Sequence, residues 1–267
     1  MTSETVSDAI AGAVVDLDGT VYRGDEPIDG AVRGIERLQS AGIDVVFLSN
    51  KAFEQRAAHR ERLASFGLDV DLEHIVNSAS IAADFLARRH SSDPVYVVGE
   101  DPLVVELERA DLKVASNPST AEVILVSMDR SFAYDTLVDV LEAFENEPAM
   151  YATNPDRTCP VADGEIPDAG AIIGAIEGLT GKELDGVLGK PSRTALETAT
   201  NRLGVSPKRC LMIGDRLETD VRMGHQAGMT TVLVESGVTD RAALEESTVR
   251  PNYVVDSLGT IDAVIDS

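Results

Sequence analysis

Ile10-Ala11-Gly12-Ala13-Val14-Val15-Asp16-Leu17-Asp18-Gly19-Thr20 decides how this chain is read. A short apolar run ends abruptly in two aspartates, a glycine and a threonine, the pattern of a buried strand (10–15) that stops at a polar loop. Beyond this loop, 30–41 shows helical spacing through Val32, Ile35 and Leu38 and closes at Gly42. Residues 44–48 form a second apolar strand, ending in Ser49-Asn50. Helical stretches follow over 55–66, closed by Gly67, and over 78–89. Farther on, Lys190-Pro191-Ser192 opens a helix running to about Leu203, with proline where its missing N–H costs little. Residues 209–213 then form a strand ending at Gly214-Asp215, a helix runs to Ala227, and 230–234 is the next strand. Strand and helix in this alternation indicate a parallel sheet covered by helices.

About 140 residues separate Asn50 from Lys190, far more than a crossover needs. The segment has its own alternation, with strands expected over 95–98, 112–115, 123–127 and 150–152 and helices over 101–109, 134–146 and 170–180. The expected architecture is therefore α/β: a Rossmann-like parallel-sheet core domain (1–81 and 187–267) with an inserted smaller α/β cap domain (82–186).

Composition narrows the function classes. The 267 residues carry 46 acids against 23 bases, a formal net charge of −23, and the pI is near 4.4. Such a field repels nucleic acid. The acids are scattered, and lysine occurs only at positions 51, 113, 182, 190 and 208. Two readings stand, a halophilic protein of salt-rich cytoplasm or a merely acidic one, and the first is favoured. No stretch approaches the roughly 20 apolar residues of a membrane helix, and residues 1–8 are too polar for a signal peptide. A cytoplasmic location is the expectation. Cys159 and Cys210 stand far apart and read as ordinary buried thiols. The four histidines lack metal-ligand spacing.

In open α/β sheets ligands gather beyond the carboxyl ends of the strands. Asp16, Asp18, Ser49, Asn50 and Asp215 all follow such ends. Converging carboxylates raise one another's pKa unless a cation lies among them. Oxygen ligands without His or Cys point to Mg²⁺. That set suits phosphoryl transfer, with an aspartate attacking in line and a second protonating the leaving oxygen before taking a proton from water. Lys190 supplies a point charge near the phosphate, and Ser49 and Asn50 donate hydrogen bonds to its oxygens. Asp220 either orients metal-bound water or holds Lys190. Asn154 and Asp156 are candidate substrate contacts from the cap, although Asn-Pro-Asp is equally an ordinary turn.

Taken in order, Asp16-Leu17-Asp18-Gly19-Thr20, Ser49-Asn50, Lys190 and Gly214-Asp215-Arg216-Leu217-Glu218-Thr219-Asp220 resemble the four motifs of the haloacid dehalogenase superfamily of phosphatases. Too few residues lie between Asp18 and the helix near Gly30 for a cap, which places it after the second motif. Ala152-Thr153-Asn154-Pro155-Asp156, Gly170-Ala171 and Gly189-Lys190-Pro191-Ser192 resemble the NagD-like, 4-nitrophenylphosphatase branch. The resemblance implies Asp16 as nucleophile, Asp18 as general acid/base, and a metal held by the Asp16 carboxylate, the Asp18 carbonyl and Asp215, with Asp220 beside it. The implied substrate is a small phosphorylated metabolite: a nucleoside monophosphate, sugar phosphate, glycerol phosphate, phosphoglycolate or the nitrophenyl ester. A phosphotransferase and a non-catalytic phosphometabolite sensor are the alternatives. Many members carry a second asparagine where this chain has Lys51, which is either a further phosphate contact or a solvated residue. A homodimer is a weaker expectation, resting on the apolar strands of the cap.

Overall fold

The computed structural model describes residues 10–161 and 164–267; the reading of residues 1–8 falls outside that range. The strands in chain order are β1 (Gly12–Val15), β2 (Tyr22–Arg23), β3 (Glu26–Pro27), β4 (Asp44–Ser49), β5 (Ile75–Asn77), β6 (Val95–Val98) and β7 (Val123–Val126). They continue as β8 (Ala149–Ala152), β9 (Thr158–Val161), β10 (Gly164–Pro167), β11 (Gly186–Val187), β12 (Cys210–Gly214), β13 (Thr230–Val234) and β14 (Tyr253–Val255). The longer helices are α1 (Ala31–Ser40), α2 (Arg56–Ser65), α3 (Ser78–Arg89), α4 (Asp101–Arg109), α5 (Tyr134–Phe144), α6 (Ala169–Thr180), α7 (Arg193–Leu203) and α8 (Arg222–Ala227).

Two compact units share these elements. The first comprises the chain up to Ser49, Arg56–Val76 and Leu196–Ser267. Its six-stranded sheet has the order β14-β13-β12-β1-β4-β5, and the pairs from β14 through β4 are parallel. Parallel strands are covered on both faces and so read as continuous apolar runs; β1 is buried at every position. The register pairs Val15 with Ile213 on one side and Phe47 on the other. Residues just beyond these, including Asp16, therefore leave the sheet at one edge. Ile35 and Leu38 of α1 are buried in the same core as Val15, Phe47 and Ile213. Each such side chain contributes about 1.5–3 kcal/mol on burial.

The second unit comprises Asn50–Gln55 and Asn77–Ala195. Its four-stranded sheet, β11-β8-β7-β6, is parallel throughout, and β9 and β10 add an antiparallel hairpin. Val126, Met150, Ile173 and Ile176 lie in its core. Helix α3 opens on a capping box, in which Asn77 accepts from Ser80 N–H and Ser80 Oγ accepts from Asn77 N–H; such caps are worth about 1 kcal/mol.

Three local expectations need correction. Residues 112–115 make no strand: Val114 bridges Val95 alone, through Val95 N–H to Lys113 O and Ala115 N–H to Val95 O. The chain enters that rung from a turn at Asp111, whose φ is +58°, and leaves it for the turn at Pro118. Helix α7 starts at Arg193 and not at Lys190. After Asp215 the chain winds first through one wide π-helical turn, Leu217–Val221, before α8 begins. Both cysteines are buried and neither is in a disulfide, as expected. Among the described residues no helix is long and apolar enough to cross a membrane.

Candidate active site

At the carboxyl end of β1 the chain turns sharply. Leu17 O accepts from Val21 N–H at 2.8 Å and from Tyr22 N–H at 3.2 Å, and Gly19 N–H donates to Tyr22 O at 2.8 Å. Asp16 is anchored by its own N–H to Ile213 O (2.9 Å), and Thr20 Oγ1 donates to its Oδ2 at 3.3 Å. Asp18, half-buried, follows on the turn.

Strand β12 delivers the partner acids. Asp215 is 1% exposed, Asp220 1% and Asp16 6%. These three offer carboxylate oxygens that lie within 4.8 Å of one another. The wide turn Leu217–Val221 bends the chain so that Asp220 returns to the strand end, where its Oδ2 accepts from Arg216 N–H at 3.1 Å. Asp215 is held by the loop after β13: Val238 N–H donates to its Oδ2 at 2.7 Å and Thr239 N–H to its carbonyl at 3.2 Å. A Cβ on Gly237 would collide with the Asp215 side chain, so only glycine lets that loop pass so close.

Burial, together with the Asp16 and Asp220 charges, pushes the Asp215 carboxyl from 3.8 up to about 8. A protein that folds three acids into one dry corner pays heavily in electrostatic energy unless a cation enters. All-oxygen donors, hard and anionic, suit Mg²⁺ and offer nothing to a thiophilic metal. The donor set therefore fits the ion that the sequence implies. Asp18 is not a member of this group, and Ser49, 2% exposed, stands at the end of β4.

Asn50, Asn154, Asp156 and Lys190 come together within the second unit. Asn50 Nδ2 donates to Asp156 Oδ2 at 2.8 Å and to Lys190 O at 3.1 Å, and Lys190 N–H donates to Asn50 Oδ1 at 2.8 Å. Asn154 Nδ2 donates to Asp156 Oδ2 at 3.1 Å and to Asp168 Oδ1 at 3.2 Å. Lys51 and Arg130 lie over the Phe53 ring at 5.8 and 5.9 Å, and Glu100 pairs with Arg130 through both oxygens.

Sequence reasoning missed Asp168, Ser236-Gly237-Val238 and the hairpin β2–β3. A glycine soon after a strand end, and the Gly24-Asp25 pair between β2 and β3, were the signals available.

The sequence pattern of haloacid dehalogenase-like hydrolases matches residues 13–113, and that of HAD-hydrolase-like proteins matches 187–261. The sugar-phosphatase AraL of Bacillus subtilis is 38% identical over 248 residues, 93% of this chain and 90% of that one. The solved p-nitrophenyl phosphatase of Archaeoglobus fulgidus superposes with a TM-score of 0.90 at 35% identity, over 95% of this chain and 99% of that one. NagD of Escherichia coli K-12 superposes at 0.86 with 29% identity, over 96% and 99%. The chain thus belongs to the haloacid dehalogenase-like hydrolases, and it is a phosphatase, a phosphoric monoester hydrolase acting on small phosphate substrates. Within that family it falls in the NagD-like, 4-nitrophenylphosphatase branch.

Proposed function

We propose that the protein hydrolyses small sugar-phosphate-like monoesters with Mg²⁺, through an aspartyl-phosphate on Asp16. One observation carries the reading: Asp16 meets two other buried carboxylates at the carboxyl edge of the parallel sheet. Asp16, Asp215 and Asp220 would hold the ion, which when bound offsets their repulsion and the charge of the phosphoryl oxygens. An Asp16 oxygen attacks phosphorus, and the ester oxygen leaves with a proton from Asp18. The Asp18 carboxylate then takes a proton from water as the water oxygen attacks phosphorus, returning the Asp16 carboxylate and inorganic phosphate. Ser49 donates its hydroxyl to a phosphoryl oxygen, and the motif order assigns Lys190 the neutralisation of phosphate charge. Residues 82–186 serve as the cap.

The sugar-phosphate class is supported by the name of the 38% identical relative, a sugar phosphatase. The scattered acidic surface supports salt-rich cytoplasm as its setting. The test is phosphate release from a panel of sugar phosphates, nucleoside monophosphates and 4-nitrophenyl phosphate, with Mg²⁺ or chelator, at low and molar salt. Release that disappears with chelator and with Asp16→Asn is expected. Equal release with and without chelator, or by the variant, would remove the metal or the nucleophile from the account.

A further inference from the structure

Strand β11 pairs with β8, and the ladder continues past it: Leu188 N–H donates to Ala152 O at 2.9 Å and Gly189 N–H to Thr153 O at 2.7 Å. One residue on, the Asn50 carboxamide meets the main chain of Lys190, accepting from Lys190 N–H and donating to Lys190 O. Its orientation is fixed by chemistry, because the reverse would set the amide nitrogen against an N–H and the amide oxygen against two acceptors. Both Asn50 amide hydrogens are thereby used, one on Lys190 O and one on Asp156. A Cβ on Gly189 would stand 2.7 Å from Asn50 Oδ1 and collide with Thr153 O, so the close approach depends on glycine there.

Asp156 is itself fixed. Its Oδ2 accepts from Asn50 and Asn154, and Asn154, 1% exposed, spends its other amide hydrogen on Asp168. Asp168 caps α6 through Ala169 N–H at 2.6 Å. Ser78 Oγ holds the Asn50 carbonyl at 2.6 Å. The chain of contacts therefore runs from a helix N-terminus to the main chain of a lysine that is only 2% exposed.

We infer that Asn50 is a positioning residue: its carboxamide, anchored through Asp156, Asn154 and Asp168, fixes the Lys190 main chain and hence the base of the lysine side chain, and does not itself ligate phosphate. This rests on the assignment of Lys190 to phosphate made above. Asp156 and Asn154 become the anchor of that clamp instead of substrate contacts.

The experiment is a double-mutant cycle read in affinity, which needs no turnover: titration calorimetry of orthovanadate, with Mg²⁺ present, into the native protein, Asn50→Ala, Lys190→Ala and the double variant. Two neutral hydrogen bonds to Lys190, each worth roughly two- to tenfold, set the expected loss in Asn50→Ala at about tenfold. In the Lys190→Ala background the same change costs nothing further. Losses that multiply in the double variant overturn the inference, since Asn50 would then touch the anion itself. Asp156→Asn gives a second reading of opposite sign: loosening the clamp weakens vanadate binding, whereas neutralising a carboxylate that faced the anion would tighten it and overturn the inference. It also carries the test if Asn50→Ala fails to fold, as thermal melting reports. If Lys190→Ala alone binds vanadate as the native protein does, the role assigned to Lys190 has failed, and the outcome is distinct from additivity in the cycle.

Discussion

Replacing Asp215 by Asn should make the metal-free protein more stable while destroying its affinity for Mg²⁺. The Asp215 carboxyl is buried and held up to about 8, against 3.8 for the free group, by burial and by Asp16 and Asp220. A shift of that size corresponds to about 6 kcal/mol of native-state cost once the group is ionised in both states, and to about 5 kcal/mol at pH 8, where the folded group is half ionised. Because the folded pKa is raised, the folded protein binds the proton more tightly than the unfolded chain. Stability is then lost as pH rises from about 4 through about 8 and levels off above it. Asparagine keeps an acceptor for Val238 N–H and turns an amide toward the two remaining acids, and it gives up about 1 kcal/mol of charge-assisted bonding. The net gain at pH 8 is about 4 kcal/mol, or roughly 10 °C in melting temperature for a chain of this size. The assay is thermal melting in excess chelator from pH 5 to 9. The native protein should lose ground to the variant steadily up to about pH 8, and saturating Mg²⁺ should raise the melting temperature of the native protein only. A variant no more stable than the native chain at pH 8, or a difference that is flat in pH, would refute the idea that the triad is a strained cation site.

Gly237→Ala should lower Mg²⁺ affinity roughly 10- to 100-fold, as loss of an orienting neighbour does, because the new methyl displaces the Asp215 side chain; calorimetric titration of Mg²⁺ measures it. Asp18→Asn should release about one equivalent of nitrophenolate from 4-nitrophenyl phosphate in a burst, then stall at least roughly 100-fold slower than the native enzyme, since this leaving group needs little acid but hydrolysis still needs the base; stopped-flow absorbance follows both phases. For a net charge of −23, raising KCl from 0.1 to 1 M cuts the Debye length from about 10 Å to about 3 Å and should raise the melting temperature, an effect absent if the surface carries no net repulsion.

The sheet was legible because a buried parallel strand has to be apolar along its length and its end has to be polar. That is why 10–15, 44–48 and 230–234 lie on β1, β4 and β13, and why Asp16 and Asp215 leave the sheet together. What escaped were elements whose stability is tertiary: the two-residue strands of β2–β3, the hairpin β9–β10, and β5, whose three residues carry no period. The failure at 112–115 has the same cause in reverse, since an apolar segment became a single bridge once turns at Asp111 and Pro118 left it no length. In the site, carboxylates at strand ends announce themselves by type and spacing. The partners of Asn50 do not, because Asp156 and Lys190 lie 106 and 140 residues away along the chain, and a carboxamide committed to main chain looks in sequence like one aimed at a ligand.

The step on which everything else depends is the proposed covalent bond between Asp16 and phosphate. Acid quenching of the Mg²⁺-loaded enzyme during turnover, borohydride reduction and peptide mapping by mass spectrometry tests it directly. Homoserine is expected at position 16 and nowhere else, and none with Asp16→Asn; an unmodified Asp16 under turnover, or reduction at another acid, would overturn the proposal.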